Sequence, residues 1–146
     1  MQNNSVSGST TLKSVKKVDT RFVMSNATIN IENLRLRTFI GFNPDELIKQ
    51  QDIVINALIE FDATEPSASD NENDTLDYKV ITKAIIKHVE NGKFRLVEKL
   101  NADIITIIMD NPQVLKAQVR VEKPHALRFA DSVSVSLKAE RIQCLS

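Results

Sequence analysis

A single cysteine, Cys144, stands among the 146 residues, so no internal disulfide can form and a reducing compartment is compatible. Glycine is almost as scarce, with three copies. No Gly-rich phosphate loop and no G-x-S-x-G nucleophile turn can be built from them. The two histidines and the distant cysteine show no metal-ligand spacing, which argues against a zinc or iron centre. Positive and negative side chains balance at 19 each, whereas a dedicated nucleic-acid binder carries a basic excess or stripe. No apolar run approaches the roughly 20 residues of a membrane-spanning helix, and the N-terminus lacks the apolar core of a secretory signal. The expected setting is cytoplasmic, without nucleic-acid or membrane partners.

What is present is an ordinary soluble composition, 42% apolar and 26% charged, in a length that suits one domain. Residues 1–24 are rich in Ser, Thr, Asn and Lys, show no sustained period, and read as a disordered extension. Residues 25–146 form the expected domain. "ATINIENLRLRTFIGF" alternates through Ile29 and Ile31, then through Leu34, Leu36, Thr38 and Ile40. The phase slips by one at Glu32-Asn33, predicting a bulge or bend in a long strand. "NPDELIKQ" offers Asn43 as an N-cap and Pro44 at the first helical position. "QDIVINALIEFD" is the cleanest strand, with Ile53, Ile55, Ala57, Ile59 and Phe61 all in phase. Residues 63–75 read as a solvated acidic loop. Two helical stripes follow, Ile81, Ala84, Ile85 and Val89, then Val97, Leu100, Ile104 and Ile107 or Ile108. Strands over 114–123 and 131–140 complete a β-β-α-α-β-β order. This is an α+β fold with both helices on one face of an antiparallel sheet. The outer face of the last strand is a row of serines, and its long edge calls for a partner.

The apolar phase of the third long strand, Ala117, Val119, Val121, ends in Lys123, and Pro124 stops the pairing. An ammonium there must be solvated or paired; it is either a lysine snorkelling at the sheet rim or a proton-transfer group. Glu98 falls in the first turn of its helix, where a carboxylate gains roughly 0.3–1 kcal/mol from free amides and the helix dipole. Such a carboxylate can also accept two parallel hydrogen bonds from a guanidine-like edge. Tyr78, the lone tyrosine, opens a helix and is either a packing residue or a stacking and proton-handling one. Glu46 sits in a polar turn and draws no attention alone. His88 borders an apolar stripe and reads as a satisfied boundary residue; His125, after Lys-Pro, is the better site candidate.

Four blocks, "LRLRTFIGF", "QDIVIN", "LDYKVITKAIIKHVENGKFRLVEKL" and "KPHALRFADSVSVSL", occur in order over Ile29–Arg141. Together they resemble the dihydroneopterin aldolase family, and within it the epimerase branch. Ile40-Gly41 and His125-Ala-Leu-Arg depart from the usual aldolase pattern and fit that branch. The resemblance implies the tunnelling T-fold, in which subunit sheets join into a barrel, commonly an octamer of two rings, with sites between subunits. It implies Lys123, Tyr78 and Glu46 as catalytic residues, with Tyr78 supplied by the neighbouring subunit. Glu98 would anchor the pterin, and Leu76, Leu96 and Val97 would line the ring pocket. His125 would approach the substrate side chain. Arg128, with Arg35 and Arg37 on the polar phase of the first strand, would meet substrate phosphates, or Arg128 would pair with Asp131 and fix its loop. The implied chemistry is a retro-aldol cleavage needing neither metal nor cofactor. Re-addition of the aldehyde would give epimerisation of dihydroneopterin triphosphate at C2′, and its release would give aldolase activity. A non-catalytic pterin-binding protein is the remaining alternative.

Overall fold

The computed structural model describes residues 20–143. Most of the extension read over 1–24, and Cys144, lie outside that range; Thr20–Met24 is exposed and belongs to no strand or helix. Five strands are formed, β1 (Ala27–Ile40), β2 (Gln51–Phe61), β3 (Lys93–Phe94), β4 (Val114–Pro124) and β5 (Ser132–Glu140). The helices are α1 (Pro44–Ile48), α2 (Thr64–Ser69), α3 (Tyr78–Glu90) and α4 (Val97–Met109), with a 3₁₀ turn at Glu72–Asp74. The sheet order is β3-β1-β2-β4-β5; β3 is parallel to β1 and the other pairings are antiparallel.

The sheet's inner face is set by alternation. Ile53, Ile55, Ile59, Val119 and Val121 are fully buried, and α3 and α4 cover them with Ile81, Ile85, Leu100, Ile104 and Ile108. Each such side chain contributes roughly 1.5–3 kcal/mol of hydrophobic stabilisation. The β1 phase slip is a bulge, since pairing with β2 breaks between Ile31 and Leu34. Asn33 takes a left-handed φ of 54° there, a conformation asparagine tolerates. Its amide donates to Asn56 Oδ1 at 2.9 Å. The extra residue returns Leu34 and Leu36 to the inner face.

Buried polar groups tie helices to strands. Thr38 Oγ1 donates to the Val89 carbonyl at 2.6 Å, which seats the C-terminal end of α3 on β1. Asn101, wholly buried on α4, donates through Nδ2 to the carbonyls of Val119 (3.1 Å) and Val135 (2.8 Å). One side chain therefore pins α4 across β4 and β5. At the start of α3, the Asp77 carboxylate accepts from the amides of Lys79 and Val80 at 3.0 and 3.2 Å, a cap worth about 1 kcal/mol.

The acidic segment over 63–75 is exposed for most of its length, as expected, but it contains α2 and the 3₁₀ turn. Local side-chain bonds make them. Asp62 Oδ1 accepts from Thr64 N at 2.9 Å, and Asp70 closes α2 in a left-handed conformation. Such turns carry no apolar period. No helix among the described residues is long and apolar enough to cross a membrane.

Candidate functional site

Three elements converge on one end of the sheet. β4 ends at Lys123-Pro124, β1 ends at Ile40, and α1 starts four residues later at Pro44. Lys123 Nζ donates to Glu46 Oε2 at 2.8 Å, and the two side chains are only 13% and 20% exposed. Glu46 also accepts from Gln51 Nε2 at 3.1 Å and from the Asn43 amide at 3.3 Å. Gln51 Nε2 in turn donates to the Ile40 carbonyl at 2.5 Å. The lysine at the end of the apolar phase is thus paired, and its partner is held by three donors.

Gly41 makes room for this arrangement. Its φ is +124°, and a Cβ placed on it would fall on the Glu46 carboxylate. Gly41→Ala is therefore expected to combine roughly 1–3 kcal/mol of backbone strain with displacement of Glu46 from Lys123. Thermal melting and turnover of the variant should both fall; a variant matching the wild type in both would show that the carboxylate can move freely.

The Lys123 hydrogen bond is the largest influence on Glu46 and lowers its carboxyl from 4.5 to about 2; partial burial opposes this, and Gln51 and Asn43 assist. A depressed carboxyl contributes stability above its unfolded value that is lost as pH falls through the folded value. The melting-temperature gap between wild type and Glu46→Gln should therefore be full above about pH 5 and shrink toward pH 2. A gap constant across that window would mean that the pair adds nothing to folding.

Glu98 lies at the same end. The Gly41 amide donates to the Phe94 carbonyl at 2.8 Å, which fixes β3 beside the Glu46 cradle, and α4 starts three residues after Phe94. Leu96, at the N-cap of α4, offers no side-chain cap. Glu98, exposed, is the acidic residue of the first turn that follows.

The remaining residues are placed differently. Tyr78 is 52% exposed at the far end of α3. The near end, Val89, is bonded to Thr38, which pairs with Gln51. Eleven residues of helix separate Tyr78 from Val89 by roughly 16 Å along the axis. Leu76, beside it, is 2% exposed and packs in the core. His125 follows Pro124 with a left-handed φ of 65° and lines a cavity of about 640 Å³ with Arg35, Arg37, Asp52 and Glu90. Arg37 is paired with Asp52 at 2.7 Å. The Arg128 guanidinium lies 5.3 Å from the Phe129 ring centroid rather than on Asp131, among the described residues. His88 is a satisfied boundary residue, with Nε2 at 2.8 Å from Asp103 Oδ2. Gln51 and Gly41 are the site residues that periodicity could not single out; a glycine closing a long strand was the available signal.

This paired lysine and carboxylate beside an uncapped helix sits in a chain whose residues 29–138 match the sequence profile of dihydroneopterin aldolase. The chain belongs to the dihydroneopterin aldolase family. Within that family it is 49% identical over 115 residues to the dihydroneopterin triphosphate 2′-epimerase of Escherichia coli (strain K12), covering 79% of this chain and 96% of the relative. It is 45% identical over 115 residues to the enzyme of that name from Pseudomonas aeruginosa, covering 79% and 94%. To the dihydroneopterin aldolase of Escherichia coli (strain K12) it is 27% identical over 108 residues, covering 74% and 88%. The structure of an E. coli dihydroneopterin aldolase in complex with neopterin superposes with a TM-score of 0.74 at 26% identity, covering 77% of this chain and 98% of that one.

Proposed function

We propose that this chain epimerises 7,8-dihydroneopterin triphosphate to 7,8-dihydromonapterin triphosphate at C2′. The observation that carries the reading is the Lys123–Glu46 pair, at 2.8 Å, on the same sheet end as Glu98 and the uncapped start of α4. In this scheme the Glu98 carboxylate accepts two hydrogen bonds from the amino-N–C–NH edge of the pterin. The Leu96 and Val97 amides face the ring's acceptors.

The 2′-hydroxyl then loses its proton and the C1′–C2′ bond breaks. The electron pair passes into the C6=N5 imine of the ring, and N5 takes up a proton. Lys123, paired with Glu46, relays these protons through water. If the aldehyde presents its other face before re-adding to C1′, C2′ is inverted. If it leaves, the outcome is aldolase activity, the second reading, favoured by the 26% identity to the neopterin-bound fold neighbour. The 49% identity to named epimerases, against 27% to the aldolase, favours retention of the aldehyde.

The site is proposed to be shared between subunits of a cytoplasmic homo-octamer of two rings. Tyr78 opens α3 at the end opposite the Val89 carbonyl that ties the helix to β1, and both sheet edges lack a partner strand over most of their length among the described residues. His125 is placed to approach the substrate side chain; Leu76 would support the neighbouring pocket from within the core. Residues 25–146 are the proposed catalytic domain. Deleting residues 1–23 should therefore leave oligomer size and melting temperature nearly unchanged; a collapsed assembly on size-exclusion chromatography would make the extension structural.

Incubation with dihydroneopterin and its triphosphate, followed by chromatography for epimer and released aldehyde, tests the reading. Epimer from the triphosphate supports it; aldehyde as the main product assigns an aldolase; neither product assigns a binding protein.

A further inference from the structure

A second, larger cleft opens between the C-terminal half of α3 and the N-terminal half of α4, with a volume of about 1040 Å³. Lys87, Lys93, Arg95 and Lys99 rim it, and Asp103 is the only carboxylate among its lining residues. Both oxygens of Asp103 are engaged, Oδ1 with Lys99 Nζ at 2.9 Å and Oδ2 with His88 Nε2 at 2.8 Å. Its charge is therefore compensated inside the cleft wall, and it fixes two of the cationic or polar groups in place. Lys87 and Arg95 have no carboxylate partner among the described residues, and both are exposed. Lys93 Nζ rests 5.2 Å from the Phe39 ring centroid, a contact that leaves its donors open. The floor is apolar, formed by Phe94, Leu96 and Ile107.

The contrast with the cavity at His125 decides where a polyanion fits. There Arg35 and Arg37 face Asp52 and Glu90, and Arg37 is already neutralised by its 2.7 Å ion pair. That cavity carries no net positive charge with His125 neutral. The α3–α4 cleft carries a clear cationic surplus in a chain whose net charge is zero. It also adjoins the Lys93–Leu96 segment that leads directly into Glu98.

We propose that the cleft between α3 and α4 is a triphosphate seat, with Lys87 and Arg95 as its free cationic contacts and Lys93 and Lys99 completing the rim. The ligand chemistry is a triphosphate or triphosphate ester. Its source is either the tail of the substrate, which rests on the functional reading above, or a separate phosphate ester bound independently of the pterin.

Inorganic tripolyphosphate titrated calorimetrically into the full-length protein tests the seat. Saturable binding that weakens as salt rises is expected, with a loss of about tenfold or more in the Lys87→Ala/Arg95→Ala double variant. Both side chains are exposed, so the melting temperature should not change. Arg35→Ala should bind tripolyphosphate as the wild type does. No saturable binding, or a loss in Arg35→Ala with none in the double variant, overturns the proposal. Kinetics then separate the sources. A KM that rises in the double variant for dihydroneopterin triphosphate but not for dihydroneopterin assigns the seat to the substrate tail. Tripolyphosphate binding lost in the double variant with both KM values unchanged assigns it to a separate phosphate ester. A protein that turns over no dihydropterin but still loses tripolyphosphate in the variant sinks the functional reading and upholds the seat.

Discussion

Lys123→Ala is expected to lower epimerisation and any aldehyde release together, by about 10²–10⁴-fold, with pterin affinity kept within a few-fold. One proton-relaying group serves both bond cleavage and bond re-formation, so both products must fall in parallel. The geometry makes the substitution clean. Glu46 keeps its hydrogen bonds from Gln51 and the Asn43 amide when the lysine is gone, so the turn carrying it stays in place. Glu98, the proposed anchor, belongs to a different element and is untouched. A lysine that merely covers the sheet rim would give near-normal rates of both reactions; loss of the Glu46 ion pair lowers the melting temperature in either case. Lys123→Met, which preserves the apolar stem, separates the two cases further. If the methionine variant restores stability and the rates stay low, the amine itself carries the chemistry.

The sequence makes an element legible where its signal is periodic. β2 and β4 are readable because Ile53, Ile55, Ala57, Ile59 and Phe61, and then Ala117, Val119 and Val121, keep one apolar phase, and that face is the buried one. The β1 bulge was readable for the same reason, since a one-residue slip moves an entire apolar set to the other face unless an extra residue absorbs it. Contact between Lys123 and Glu46 was not readable from period at all. They stand 77 positions apart and meet only because β4 and the β1–α1 turn end at the same rim. Gly41 looked like a strand terminator; its second task, leaving space for the Glu46 carboxylate, exists only in three dimensions. β3 is two residues long, below any period, yet it locks the start of α4 beside that carboxylate. Of the two roles the sequence offers Arg128, a phosphate contact or an ion pair with Asp131, the second is not formed among the described residues, where the guanidinium lies over the Phe129 ring. The adjacent aromatic was in plain view, but loops of alternating charge and ring offer several pairings of similar energy.

Glu98→Gln is expected to weaken pterin binding by about 10–150-fold, the equivalent of roughly 1.5–3 kcal/mol for hydrogen bonds to a charged group. The change is nearly isosteric, but it replaces one acceptor by a donor. That donor would face an N–H of the ligand edge, so one bond becomes a repulsion while the other loses its charge. Two roles compete for this carboxylate, and their magnitudes separate them. As a helix-terminus residue it stabilises α4 by roughly 0.3–1 kcal/mol, because no side chain caps Leu96 and the first-turn amides are free. Loss of that role alone would lower the melting temperature slightly and leave affinity intact. As the ligand anchor it would leave the melting temperature of the free protein almost unchanged and shift the dissociation constant by one to two orders of magnitude. Fluorescence titration with a pterin, run beside thermal melting of the unliganded variant, reads both quantities. Glu98 makes no ion pair among the described residues, so no partner is left stranded to confuse the result. Unchanged affinity with a lowered melting temperature would return Glu98 to the helix and move the anchor to another acceptor on the same rim.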